Sequence, residues 1–262
     1  MLEDPDTLRA GASQCDAVIH LAFDHDFSNF VANCEKDRRA ITALGEALAS
    51  TPCPLLITSG VGMGIPAHGQ PGVEDVLNPD HPNPRIASEL AGVAVAATGV
   101  DVRVVRLPQV HDTTRFGLIS PAIDIAREKG ISPYVGEGHN RFSAVHVSDA
   151  ARLYRLALAK GSAGERYHAV TEEGVPMKDI AETIGRVLNS PAAALPAEQA
   201  QTHFGWMAMF VGLDLPASSA LTRERLNWHP TGPGLLDDLV RYQAQRGWTR
   251  FEFQSRPLSD CH

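Results

Sequence analysis

Asp16-Ala-Val-Ile-His-Leu-Ala22 decides how this chain is read. Ala17–Leu21 is a short apolar run between polar residues and reads as a strand. From Phe30 to Leu48, residues Phe30, Cys34, Ile41, Leu44 and Leu48 recur at mostly helical spacings with Glu35, Lys36, Asp37, Arg38 and Arg39 between them, which predicts an amphipathic crossover helix. Leu55–Thr58 reads as a second strand. A helix opening at Pro84, where a missing N–H is tolerated, carries Ile86, Leu90 and Val93 inward, and Val102–Leu107 reads as a third strand. Strands separated by helical crossovers predict an α/β fold with a parallel sheet, helices on both faces and ligands at the carboxyl ends of the strands.

Beyond Val170 the pattern changes to helices between Pro/Gly loops, over Met177–Leu188, Ala197–Val211, Ser218–Leu226 and Leu235–Gln245. The expected division is a sheet domain over 1–170 and a small, mostly helical lobe and tail over 171–262. Thr249-Arg-Phe-Glu-Phe-Gln254 alternates like an edge strand, but a frayed terminus is the preferred reading. The Gly/Pro-rich stretch from Gly60 to Asn83 is long for a simple connector, which suggests a functional loop.

Composition sets limits on function. The 262 residues, 44% of them hydrophobic, suffice for one core with an appended lobe. A formal charge of -8 and four scattered lysines argue against a nucleic-acid partner. Cys15, Cys34, Cys53 and Cys261 form no C-x-x-C pair, and Met1-Leu-Glu-Asp4 does not resemble a signal peptide, so a cytoplasmic location with reduced thiols is expected. No run is apolar enough to span a bilayer.

Four blocks, in order, resemble one family. Asp16–Ala22 is similar to the D-x-V-I-H-L-A strand of the extended and atypical short-chain dehydrogenase/reductases, which include the NAD-dependent epimerase/dehydratases. Pro54-Leu-Leu-Ile-Thr-Ser-Gly60 resembles their next strand, ending in the active-site serine, and Val102-Arg-Val-Val-Arg-Leu-Pro-Gln-Val110 the strand that flanks the nicotinamide. Ala144-Val-His-Val-Ser-Asp149 with its following helix resembles the late V-H-V-x-D segment, and Glu165-Arg-Tyr-His-Ala-Val170 the short strand beyond it. The resemblance implies a Rossmann-like, doubly wound sheet that is partial here, because the family's first three strands and its glycine-rich phosphate loop have no counterpart before Asp16.

That gap carries expectations. Leu2-Glu-Asp-Pro-Asp6 resembles the segment after the family's third strand, so an internally started fragment is favoured over a redesigned half fold. NAD or NADP is the implied cofactor of a full-length form, with weak or no binding by this chain alone. Leu21, Ala22, Phe23, Pro108 and Val110 are the implied cofactor contacts. The local Gly62-Met-Gly-Ile-Pro-Ala67 matches G-x-G-x-x-A, but Pro66 prevents a helix from opening there, so it reads as an active-site loop. Without the strand it normally pairs with, 18–22 is an unprotected apolar edge, which predicts self-association or cover by another segment, such as the tail after Gly247.

The catalytic pattern is altered too. Where the family carries Y-x-x-x-K, this chain reads Arg85-Ile-Ala-Ser-Glu89. Arg85 does not deprotonate in proteins, so it can orient or stabilise an oxyanion but not replace the tyrosine. Glu89 serves as a base only if burial raises its pKa; otherwise an exposed i,i+4 pair with Arg85 is expected. Ser59 is the retained member, its hydroxyl implied to bond a substrate oxygen. His111 is the titratable residue best placed by sequence to replace the tyrosine. Asp24-His25-Asp26 reads as a solvated loop, and no metal site is expected. His20 and His146 read as core or near-core histidines, and Phe204, Trp206, Met207, Met209 and Phe210 as an apolar stripe, by packing or along a substrate pocket. The expected function is an NAD(P)-dependent oxidoreductase or epimerase/dehydratase-like protein acting on a small carbonyl or hydroxyl substrate; the alternatives are a non-catalytic nucleotide-sensing member or an inactive fragment.

Overall fold

The computed structural model describes residues 2–242. In chain order the first half comprises α1 (Pro5–Ala12), β1 (Val18–His20), α2 (Phe30–Leu48), β2 (Leu55–Gly60), α3 (Ile86–Ala96), β3 (Val102–Leu107), β4 (Gln109–His111) and α4 (Ile119–Lys129). There follow β5 (Ser132–Val135), β6 (Arg141–His146), α5 (Val147–Lys160), β7 (Arg166–His168), β8 (Glu172–Pro176) and α6 (Met177–Leu188). The last elements are β9 (Ala192–Leu195), α7 (Ala200–Phe204), α8 (Ala208–Val211), α9 (Ala220–Leu226) and α10 (Leu235–Val240).

The main sheet is parallel in the order β1-β2-β3-β7, with Val18 opposite Leu55 and Leu55 opposite Val102. Strand alternation sorts its side chains. Leu55, Ile57, Val102 and Val104 pack on Ile41, Leu44 and Leu48 of α2 and Val95 of α3. Leu56 and Val105 pack on Leu153, Tyr154 and Ala157 of α5, with Trp228 beneath. α2 and α3 approach so closely that a Cβ on Gly45 would lie 2.3 Å from a Val95 methyl, so only glycine fits.

Two smaller sheets, β4-β6-β8 and β5-β9, each take strands from both sides of residue 170. Between Ala197 and Val211 the expected continuous helix is instead α7 and α8 joined by short 3-10 turns. The break is at Gly205, whose φ of +57° and ψ of -129° suit glycine. α3 begins at Ile86, not Pro84, and presents a different face from the one read in the sequence: Leu90 and Val93 are 36% and 46% exposed. Ser88, Glu89, Gly92 and Val95 turn inward in their place. Among the described residues β1 pairs only with β2, and Ile19 and Leu21 are 39% and 59% exposed. The stretch 249–254, read as a frayed terminus in preference to an edge strand, and the suggested cover by the tail lie outside the described residues.

Candidate functional site

β2 and β3 run in register to Gly60 and Leu107, so Ser59 comes to the carboxyl end of the sheet, where ligands bind in folds of this kind. Ser59 shares the inward face with Leu55 and Ile57 and is buried. Its Oγ makes no hydrogen bond of ordinary geometry, although it lies near enough to Glu89 to help lower that carboxyl's pKa. A buried hydroxyl without a partner costs ~1–3 kcal/mol. Thr58 faces the other way; its Oγ1 donates to the His20 carbonyl at 2.8 Å and meets the Tyr154 hydroxyl at 2.7 Å.

Arg85 does not pair with Glu89. Its Nη1 donates to Asp37 and Ser88, its Nη2 to the Thr58 carbonyl at 3.0 Å, and its guanidinium lies 4.0 Å from the centroid of the Phe23 ring. Asp37 also accepts from His20 Nε2 at 2.7 Å and Ser88 Oγ at 2.6 Å. Burial pushes the Asp37 carboxyl up, but these partners outweigh it and hold it below the ordinary carboxylate range. Arg85 is thus a fixed cation against the end of β2.

Glu89 is buried in a second network. It takes Arg106 Nε and Nη2, both at 2.8 Å, and Arg166 Nε at 3.1 Å. Arg106 spends its remaining donors on the Val73 and Val76 carbonyls and His168 Nε2, so its whole fork is satisfied and ties the long loop to the sheet. Burial raises the Glu89 pKa, yet Arg106 and Arg166 outweigh it and the net shift is downward. The condition under which Glu89 serves as a base is therefore not met, and the exposed i,i+4 pair is replaced by a buried one. Burial, with the Arg106 charge beside it, pushes His168 down to about 3. Gly64 packs on the same guanidinium: a Cβ there would lie 2.5 Å from Arg106 Nη1 and 2.6 Å from the Val73 carbonyl. The second glycine of the G-x-G-x-x-A segment is thus packed against the arginine.

The structure brings Ser59, Arg85 and Glu89 to one end of β2 and sets His111 elsewhere. His111 is buried, its Nδ1 donating to Asp238 of α10 at 2.8 Å, with Glu172 at 4.0 Å from Nε2 and the His146 ring edge-on at 5.7 Å. Burial lowers its pKa despite those carboxylates. Leu21 and Ala22 are exposed just past β1, and Phe23, Pro108 and Val110 are half-buried. In the next loop Asp24 accepts Lys36 Nζ at 2.7 Å and Asp26 caps the Phe27–Asn29 turn. Among the described residues no cluster of three or more His, Cys, Asp or Glu side chains is arranged to hold a metal. His20 is buried as expected, and His146 caps α5. The apolar stripe divides: Phe204, Met207 and Phe210 are buried, whereas Trp206 and Met209 are exposed, Trp206 stacking on Phe27 at 4.8 Å.

Asp37, Arg106, His168 and Asp238 escaped the sequence reading. Arg106 left one signal, since it shares inward parity with Val102 and Val104, and a charge there demands a buried partner. The remaining three lacked such a mark.

Leu21, Ala22 and Phe23 follow the carboxyl end of β1, and Ser59 lies buried at the carboxyl end of the neighbouring β2. No family model matches the chain. It is 44% identical over 240 residues to the uncharacterized protein C2A9.02 of Schizosaccharomyces pombe, covering 91% of this chain and 81% of that protein. It is 41% identical over 239 residues to the uncharacterized protein YLL056C of Saccharomyces cerevisiae, covering 91% and 80%. Among solved structures, the dTDP-glucose 4,6-dehydratase DesIV of Streptomyces venezuelae superposes with a TM-score of 0.73 at 19% identity, covering 92% of this chain and 76% of that one. The UDP-glucose 4-epimerase of Thermotoga maritima gives 0.71 at 17%, covering 92% and 81%. Among the described residues no helix is long and apolar enough to cross a membrane. The chain belongs to one family with the two yeast proteins and carries the fold of the NAD-dependent epimerase/dehydratases, the group its strand motifs resemble.

Proposed function

We propose that this chain is an NAD(P)-dependent oxidoreductase or epimerase/dehydratase-like protein acting on a small carbonyl or hydroxyl substrate through a non-standard site. The observation that carries the reading is the buried Ser59 hydroxyl at the carboxyl end of β2, without a hydrogen bond of ordinary geometry and one residue beyond the Thr58 carbonyl that, with Asp37, holds the Arg85 guanidinium. A substrate oxygen is the partner that relieves it. DesIV, of the same fold, was solved with NAD bound, and a bound dinucleotide supplies hydride chemistry. In this chain Leu21, Ala22, Phe23, Pro108 and Val110 would line its nicotinamide end, Ser59 would orient the substrate oxygen, and Arg85 would stabilise charge developing there. Glu89 holds Arg106 and the loop behind them, and His111 with Asp238 fixes α10.

Ser59→Ala separates function from folding. It is expected to reduce kcat by about 10²-fold or more while leaving dinucleotide affinity unchanged. It should also leave stability equal or raised by about 1 kcal/mol, because an orphaned buried hydroxyl is lost. Turnover measured alongside urea denaturation tests this, and unchanged turnover would reject the role of Ser59.

Among the described residues the side of β1 away from β2 has no strand partner, which extends the proposal to assembly. Val18–Ala22 contains neither Pro nor Lys, so a second copy is expected to pair along this edge. Ile19→Lys should lower the mass seen by light scattering. A wild-type monomer at high concentration with fast amide exchange at Val18 and Leu21 would count against edge pairing.

A further inference from the structure

With Arg85 unable to deprotonate, Glu89 engaged by two arginines and His111 buried beside α10, the end of β1 still offers one exposed titratable ring, His25. Its imidazole stands edge-on to Phe23 at 5.2 Å and to Phe27 at 6.1 Å, while the Arg85 guanidinium lies on the face of that same Phe23 ring. One phenyl group therefore sets the spacing between His25 and the cation beside Ser59.

The loop that carries His25 is fastened on both sides of it. Asp24 accepts Lys36 Nζ and the Asp26 backbone N–H, the latter at 3.1 Å; Asn33 Nδ2 donates to the Asp26 carbonyl at 2.8 Å; and Phe27 stacks on Trp206. Although the residue reaches solvent, partial desolvation of its ring beside Phe23 and Phe27, with the Arg85 charge, lowers the His25 pKa below its ordinary value, and the Phe23 backbone and Asp24 offset only part of this. Asp24 and Asp26 are themselves held below the carboxylate range by their hydrogen bonds, which leaves both poor proton acceptors near neutrality.

We propose that His25 is the proton acceptor of this site, taking the proton of a substrate hydroxyl in place of the missing tyrosine. The inference rests on the oxidoreductase reading above. In the oxidising direction the substrate O–H bond breaks and its proton passes to the imidazole. The freed electron pair becomes the second carbon–oxygen bond, and the carbinol hydrogen leaves with its pair to an oxidised nicotinamide dinucleotide, which is reduced. The imidazolium then returns the proton to solvent through its exposed face. Near neutral pH the ring is largely in the basic form that this step needs.

The test has two readouts on the full chain. Imidazole NMR between pH 4 and 9, on the order of the range that brackets histidine titration, with His25→Asn for assignment, is expected to show His25 titrating below the free-histidine value and moving up in Arg85→Gln. Turnover of small alcohols at high NAD or NADP is expected to fall at least about 100-fold in His25→Ala. The acid limb of the pH profile should vanish, dinucleotide affinity should stay unchanged, and added imidazole should restore part of the rate. A His25 that titrates normally and ignores Arg85→Gln, or a His25→Ala chain with wild-type kcat and pH profile, would overturn the proposal. No turnover by wild type with any alcohol or carbonyl would instead overturn the oxidoreductase reading on which it stands, whatever the imidazole does.

Discussion

Glu89→Ala is expected to lower stability by about 3–5 kcal/mol, because it leaves the fully buried Arg106 with neither its carboxylate nor water. Arg106→Leu should cost a similar amount for the converse reason, since Glu89 would keep only Arg166. The double variant Glu89→Leu/Arg106→Leu should be less destabilised than the sum of the singles. Removing both charges abolishes the desolvation penalty that each single change exposes. Urea denaturation of the four proteins completes the cycle. Additive losses would show that the two side chains do not act as a pair. Because Arg106 also holds the Val73 and Val76 carbonyls, amide exchange in the loop from Val73 to Val76 should accelerate in Arg106→Leu.

Acid should weaken the fold well before its carboxylates titrate. His168 is buried against Arg106 with a pKa pushed down to about 3, while the unfolded chain titrates near 6.5. Between those values the unfolded state binds more protons, so stability is complete above about pH 6.5 and falls as pH drops toward the folded value. At a slope of about 1.4 kcal/mol per pH unit, His168 alone removes about 2 kcal/mol by pH 5. His25, His81, His111 and His203 are shifted the same way and add to the loss. Glu89 and Asp37, whose pKa values are lowered, act in the window below, their contribution being lost as pH falls through their folded values. His168→Gln keeps an acceptor toward Arg106 and removes the titration. The difference between wild type and variant in urea midpoints from pH 7 to 5 should show the slope; parallel curves would refute it.

The strands were legible because they are short runs rich in apolar and β-branched residues, and Ala17–Leu21, Leu55–Thr58 and Val102–Leu107 all sit inside or across β1, β2 and β3. α2 and α6 were equally plain, since their apolar residues recur with the helical period. α3 was not. Ile86-Ala-Ser-Glu-Leu-Ala-Gly-Val-Ala-Val-Ala96 is apolar nearly all round, so no stripe marks its inner face. That face was chosen by long-range contacts: Glu89 reaching Arg106, and Gly92, where a Cβ would lie 2.6 Å from Ile57.

Ser59 could be placed at a strand end from sequence because Pro54–Gly60 resembles the family strand that ends in the active-site serine. The partners of charged side chains could not. Arg85 and Glu89 are four residues apart on one helix, yet each finds a partner far along the chain, Asp37 and Arg106. A local pair on a solvated surface is worth a few tenths of a kcal/mol, whereas a buried charge left alone costs several, so burial overrides proximity in sequence. His111, expected beside the nicotinamide, is buried on Asp238 for the same reason, while His25 stays exposed in its loop as read. The sequence by itself determined the order of strands and helices, through periodicities carried within a few residues. The tertiary structure alone decided which titratable groups lie buried, paired or exposed at the strand ends, because desolvation depends on everything that packs around a side chain.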